Sequence, residues 1–290
     1  MLNGQDMKNS ASNQDITATA RRKADHIRIC LEEHVQGERI ATGFEQYRMR
    51  HEALPELDFG EISLESEFLG RRVRTPLLIS SMTGGTARGG EINMRLAEAA
   101  EARGWTLGLG SMRAALEREE LAATFQVRKA APSIMIIANL GAVQLNYGFG
   151  PDDCRRAVEM AEADALVMHL NALQEVFQPE GHTDFRGLYQ RLEEVCRRIE
   201  VPVGVKEVGW GISADTARRL ADIGIAFIDA AGAGGTSWSQ VEKFRQADAR
   251  YKMAAEAFAD WGIPTAECVK DIRSALPEMP LVASGGLKRG

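Results

Sequence analysis

The sequence predicts an α/β chain on a TIM (β/α)8 barrel, and three observations carry that expectation. From residue 76 onward, short β-branched runs alternate with longer helical patterns without a break. The runs are nearly continuously apolar, as parallel strands covered on both faces are. A small or polar cluster follows almost every run, and a barrel gathers such strand ends on one face, where its active sites lie. The competing architecture, an open doubly wound sheet, usually carries G-x-G-x-x-G after its first strand. Here "MTGGTARGG" stands in that place, and no P-loop occurs.

In chain order, residues 1–20 are polar with no apolar h-region and read as a disordered leader rather than a secretory signal. Residues 21–75 hold a helix, with Ile27, Cys30, Leu31 and His34 on one side, and a small hairpin over 57–75 that caps one barrel end. Residues 76–290 form the barrel. Its strands are expected at 76–81, 105–110, 134–140, 165–170, 201–208, 226–231 and 281–286. Between them, Phe185, Leu188, Leu192, Val195 and Ile199 recur at helical spacing and give one apolar stripe. Ser213 is placed as an N-cap and Gly224 as a stop for a helix with Ala217, Leu220 and Ala221 inside. The last strand expected is the seventh, so the sequence reads as a barrel lacking its final β/α unit, apparently truncated. An open barrel exposes strand edges, which predicts weak retention of a ligand held at the strand ends.

Composition narrows the function. The chain has 290 residues, is 44% hydrophobic and carries a formal net charge of −6, which argues against a basic nucleic-acid footprint. No apolar run reaches the roughly 20 residues that span a bilayer. Cys30, Cys154, Cys196 and Cys268 are far apart with no C-x-x-C spacing, so a zinc site or disulfide framework is not expected. Isolated thiols suit a reducing cytoplasm, and Cys196 reads as a small buried hydrophobe.

The strand ends carry the candidate chemistry. "SMTGG" offers Ser81, Met82, Thr83 and Gly84, where glycine lets backbone N–H groups approach a ligand closely. "GLGSMR" adds Ser111 and Arg113, a guanidinium suited to a phosphate. Asn139 ends an apolar run, where a ligand edge or a backbone carbonyl would satisfy its amide. Lys206 lies inside "VPVGVKEV", facing either a ligand or Glu207. "AGAGGTSW" and "SGGLKRG" form two glycine cradles suited to phosphate or a ring edge. In the first helix Arg22, Lys23 and His26 crowd one face and oppose the macrodipole, which suits an anionic ligand or an exposed basic patch. "VMHLNALQE" sets His169, Asn171, Gln174 and Glu175 at a strand's exit.

Taken together, "RRKADHI", "SSMTGG", "GLGSMR", "ANLGA", "HLNALQE", "VKEVGWGIS", "AGAGGTSW" and "ASGGL" resemble, in order, the type 2 isopentenyl diphosphate isomerases. The resemblance spans residues 21–290 and implies an FMN- and Mg2+-dependent TIM-barrel isomerase that interconverts isopentenyl and dimethylallyl diphosphate. It implies that Ser81, Met82, Thr83, Gly84, Ser111, Asn139, Lys206 and Thr236 hold FMN, with Gly285, Gly286, Leu287 and Lys288 at its phosphate; the family commonly has Arg at the last position. It implies that Arg22, Lys23, His26, Ser111, Met112, Arg113 and Asn171 take the substrate, that Gln174 and His169 act at the reacting carbons, and that Glu175 ligates Mg2+. Reduced FMN would be the acid/base with no net redox change, and NADPH its reductant. A homotetramer or homo-octamer is implied as well. Two other readings are a different FMN barrel, such as a 2-hydroxy-acid oxidase, and a flavin- or diphosphate-binding homologue without turnover. No His-Gly-Gly-Arg stretch supports the oxidase.

Overall fold

The computed structural model describes residues 21–287, so the leader at 1–20 and Lys288 lie outside the described residues. A helix over 21–32 (α1) leads to an antiparallel hairpin, Ser66–Phe68 (β1) and Arg71–Val73 (β2). Seven parallel strands follow, Leu78–Ile79 (β3), Thr106–Gly108 (β4), Ile136–Gly141 (β5), Ala165–His169 (β6), Val203–Lys206 (β7), Phe227–Asp229 (β8) and Leu281–Val282 (β9). They pair in strict chain order, β3 through β9, as consecutive β/α units do. Each falls within a run expected from the sequence except β5, which extends one residue past 140 to Gly141, and the ladders are shorter than the apolar runs. The run ends bend away into the loops that line the site.

The connecting helices cover the outside. Ala87–Arg103 (α2), Pro151–Ala161 (α4), Leu188–Arg198 (α6), Ala214–Asp222 (α7) and Thr265–Ala275 (α10) pack on the sheet. Ser213 caps α7 by accepting from the Thr216 N–H, as its position predicts. Arg113–Glu117 (α3), Ala172–Phe177 (α5), Trp238–Arg245 (α8) and Ala249–Ala257 (α9) complete the order.

Two-residue alternation sorts each strand's side chains. Leu107, Ile136, Leu166, Val205 and Ile228 face the helices in one large core. Met135, Ile137, Ala165, Val167 and Phe227 fill the barrel interior, where Phe68 of the hairpin sets its ring edge against Phe227 at 5.6 Å. The interior is therefore sealed at the N-terminal end of the strands. The same alternation carries polar groups inward at the other end.

Ile29, which the sequence reading left out, anchors α1 and is fully buried against Val241 and Trp238. Ile27, Cys30 and Leu31 instead line a cavity, with Leu31 73% exposed. The loop after β3 rests on the fully buried Phe125 ring. Gly84, at φ +152°, lies so close that a Cβ there would sit 2.1 Å from the ring. Phe125→Ala is therefore expected to cost about 3–5 kcal/mol, read as a lower denaturant midpoint at unchanged slope. An unchanged midpoint would show that the ring does not support the loop.

Candidate active site

Register places one polar layer across the mouth of the sheet. Gly141, His169, Lys206, Asp229 and Val282 are successive partners from β5 to β9, and Asn139 lies one inward step below. His169 Nδ1 lies 2.7 Å from the Asn139 carbonyl oxygen, which can only accept, so Nδ1 carries the proton and Nε2 presents a lone pair. Burial, with Lys206 and Lys23 nearby, pushes the imidazole down to about 3, so it is neutral near pH 7. Lys206 does not pair with the Glu207 carboxylate. Its Nζ donates to the Glu207 backbone oxygen at 2.6 Å, while the carboxylate turns back to accept from the N–H groups of Val208, Gly209 and Trp210. Burial pushes that carboxyl up to about 7 despite the three bonds.

Above this layer lies a cavity of about 630 Å³, roofed by α1 and within the range of small-molecule sites. Arg22, Lys23 and Arg113 line it together. Burial, then Arg113, pulls the Arg22 guanidinium below its ordinary value. Burial, then Arg22, brings the Lys23 ammonium down to about 8. Arg113 spends one N–H on Glu117, at 2.7 Å, and its remaining donors are available to an anion. Arg22 and Lys23 have no carboxylate partner within salt-bridge distance among the described residues, and with Arg113 they form a site for a polyanion.

The opposite wall is α5. Asn171 Nδ2 donates to Gln174 Oε1 at 3.2 Å and to Glu175 Oε1 at 2.9 Å, and Glu175 Oε2 accepts the His182 N–H at 2.6 Å. Gln174 Nε2 donates to Glu242 Oε1 at 3.2 Å, and His26 Nε2 donates to the same oxygen at 2.9 Å. Arg245 holds the other oxygen of Glu242 at 2.7 Å. Burial works to raise the Glu242 carboxyl, but the His26 and Arg245 contacts outweigh it and hold it ionised, below its usual range. Burial lowers the His26 imidazole, and its bond to Glu242 offsets that only in part. The carboxamide oxygens of Asn171 and Gln144 are buried with no partner among the described residues, and both residues line the cavity. Buried acceptors of this kind call for a ligand or water donor.

The two glycine cradles meet at the third wall. A Cβ on Gly285, φ +104°, would lie 2.1 Å from the Gly232 oxygen, so only glycine permits the approach. Thr265 of α10, fully buried, donates its hydroxyl toward the oxygens of Ala233, at 3.2 Å, and Gly285, at 2.7 Å, and so staples the cradles. Thr236 bridges to Gln36 of the segment after α1. Cavity size, unpaired carboxamide acceptors and backbone cradles fit a flat, phosphorylated cofactor such as FMN.

Of the residues singled out in sequence, Arg22, Lys23, His26, Ser81, Met82, Thr83, Ser111, Arg113, Asn139, His169, Asn171, Gln174, Glu175, Lys206, Thr236, Gly285 and Gly286 all line this cavity. Gly84 lies behind it against Phe125. Met112 is fully buried in the core and reaches the site only through its N–H, which donates to the Asn139 backbone oxygen. Leu287 is 51% exposed and outside the lining. Sequence reasoning missed Glu242, Gln144, Asp229 and Thr265. Among the described residues no cluster of three His, Cys, Asp or Glu could hold a metal, so Glu175 would bind one only with help from ligand oxygens and water.

A family model described as FMN-dependent dehydrogenase matches residues 17–147. An isopentenyl-diphosphate delta-isomerase of Oceanobacillus iheyensis is 53% identical over 269 residues, covering 93% of this chain and 77% of the relative. Another of that name, from a Nostoc species, is 50% identical over 282 residues, covering 97% and 81%. A solved mandelate oxidase superposes with a TM-score of 0.54 at 18% identity, over 94% of this chain and 78% of its own. At that identity the likeness concerns the fold.

The Lys23 ammonium supplies a pH test. Its folded value of about 8 means that an anion needing the charged form meets a progressively neutral lysine above that pH. Affinity for inorganic diphosphate is expected to fall by up to roughly tenfold per pH unit above about pH 8. Lys23→Arg, charged throughout, flattens that fall. An identical pH dependence in both proteins would remove Lys23 from the anion site.

Proposed function

This chain belongs to the isopentenyl-diphosphate delta-isomerase family, and on that premise we propose that its pocket interconverts isopentenyl and dimethylallyl diphosphate with FMN and Mg2+. The observation that carries the reading is the joining, in one cavity, of a cationic face (Arg22, Lys23 and Arg113, of which only Arg113 is paired with a carboxylate among the described residues) with a rigidly held Gln174 and a pair of glycine cradles. A diphosphate with a short hydrocarbon matches such a division.

In this reading Arg22, Lys23, His26, Ser111 and Arg113 take the diphosphate, while Met112, whose N–H is spent on the Asn139 backbone oxygen, serves only to hold the backbone between Ser111 and Arg113 in place. Ser81, Met82, Thr83, Gly84, Ser111, Asn139, Lys206, Thr236 and Gly285 to Lys288 hold FMN. When bound and reduced, FMN supplies the acid/base chemistry that an unactivated alkene needs and that no side chain in the cavity provides, with NADPH as its reductant. His169 is neutral and cannot be that acid; its Nε2 lone pair offers an acceptor at the cavity floor. Gln174, fixed at both ends of its amide, aligns the hydrocarbon and connects it to the ionised Glu242. Glu175 offers one carboxylate to Mg2+, with phosphate oxygens and water completing the shell. Among the described residues no helix is long and apolar enough to cross a membrane. A cytoplasmic homo-oligomer, tetramer or octamer, completes the proposal.

An anaerobic assay with isopentenyl diphosphate, FMN, Mg2+ and NADPH, followed by product analysis, tests it. Dimethylallyl diphosphate is expected only when all are present, and Gln174→Ala should lower turnover about 10²–10³-fold. Glu175→Gln should shift the Mg2+ needed for half-maximal rate upward at least tenfold. Oxygen consumption with a 2-hydroxy acid, and no isomerised product, would favour the oxidase reading instead.

A further inference from the structure

Glu175, the carboxylate proposed for Mg2+, is held from outside the cavity as well as from within it. Asn171, which lines the cavity, donates to one oxygen at 2.9 Å, and the backbone N–H of His182 donates to the other at 2.6 Å. That N–H belongs to the loop between α5 and α6. The position of the loop therefore sets the orientation of the carboxylate.

The loop is docked at two places. On one side Glu180 pairs with Arg245 of α8 at 2.9 Å. On the other it lies against the short helical turn Ala142–Asn146, which follows β5, and against Tyr147 just after it. There the His182 ring stacks on the Tyr147 ring, with centroids 3.8 Å apart and planes 8° from parallel. The Tyr147 hydroxyl accepts the Asp184 N–H at 3.0 Å. The Asn146 carboxamide donates to the backbone oxygens of Asp184, at 2.8 Å, and Arg186, at 3.0 Å. Ring and hydroxyl of Tyr147 thus grip the loop on both sides of Thr183, and one of the gripped residues carries the N–H that reaches Glu175. Neither Tyr147 nor His182 lines the cavity.

We propose that Tyr147 is a positioning residue for the cation site: by docking the segment from His182 to Asp184 it holds the His182 N–H on Glu175 and so fixes the direction in which that carboxylate offers its remaining lone pairs. The inference rests on the reading of Glu175 as the Mg2+ ligand. A carboxylate oxygen has two lone pairs, and each oxygen of Glu175 has one of them taken by a donor. Pinned from two separate segments, the carboxylate meets a cation without first losing rotamer freedom. Removing a group that orients a metal's ligand commonly costs roughly 10–100-fold in metal affinity.

The test is calorimetric titration of the full chain with inorganic diphosphate, without Mg2+ and then with saturating Mg2+. The ratio of the two affinities reads the cation site. Tyr147→Ala is expected to lower that ratio about tenfold and to leave the affinity without Mg2+ unchanged. Tyr147→Phe, which keeps the stack, restores most of the ratio. In a Glu175→Gln background the ratio is already low, and adding Tyr147→Ala takes it no further, because both changes act through one carboxylate. A ratio preserved in Tyr147→Ala, an equal loss with and without Mg2+, or a loss undiminished in the Glu175→Gln background would each overturn the proposal. Amide hydrogen exchange of the metal-free protein checks the geometry separately. Tyr147→Ala is expected to speed exchange at His182 and Asp184, and unchanged protection there would overturn the docking. If the wild type gains no diphosphate affinity from Mg2+, the Mg2+ reading of Glu175 fails and this proposal falls with it; a wild-type gain that Tyr147→Ala leaves intact overturns this proposal alone.

Discussion

A single buried anion, Glu242, holds the site's roof to its wall. Its side chain has no exposure, and it accepts from His26 of α1, Gln174 of α5 and its own helical neighbour Arg245. A charge taken out of water needs such partners, and removing one from a buried pair commonly costs about 3–5 kcal/mol. The arrangement ties three segments far apart in sequence to one pair of oxygens. The helix bearing Arg22 and Lys23 is thus fixed at both levels, by Ile29 packing on α8 and by His26 bonding into it.

The barrel supplies the other half of the design through period-two alternation alone. The residues that fill the interior of β5, β6 and β8 lower down are Ile137, Val167 and Phe227; two positions on, the same faces present Asn139, His169 and Asp229. The change from apolar to polar comes where the sheet meets the cavity. Electrostatics then divide the labour: burial, with Lys206 and Lys23 nearby, keeps His169 neutral, while His26 and then Arg245 hold Glu242 charged against burial. Asn139, His169 and Lys206 face the cavity at the mouth of the sheet, and Arg22, Lys23 and Arg113 line it together as its cationic part.

Much of this was legible in the sequence because strand exits are short, local patterns. Apolar runs ending in Asn139, His169 or Lys206 announce a polar group at the end of a buried strand, and the clash of Arg22, Lys23 and His26 on one helix face announces an anion. What could not be read is long-range. Glu242, within "SWSQVEKFR", has the spacing of an ordinary solvated helix residue, and only its packing against α1 and α5 buries it. Asp229 sits in "AFIDAA" as one acid in an apolar run, and Thr265 acts on loops 20 and 32 residues away. The stripe Ile27, Cys30 and Leu31 is helical as expected, but periodicity reports that a face is apolar, not whether protein or a cavity lies against it.

The account turns on one cavity having two compartments, a cationic end for a diphosphate and cradles for a flavin. The most direct measurement is calorimetric titration of the full chain with isopentenyl diphosphate and Mg2+, without and then with saturating FMN. The account predicts one diphosphate per chain in both cases, with affinity kept or improved when FMN is present. Displacement of one ligand by the other would contradict it, because the cations would then serve a flavin phosphate and leave no separate place for the substrate.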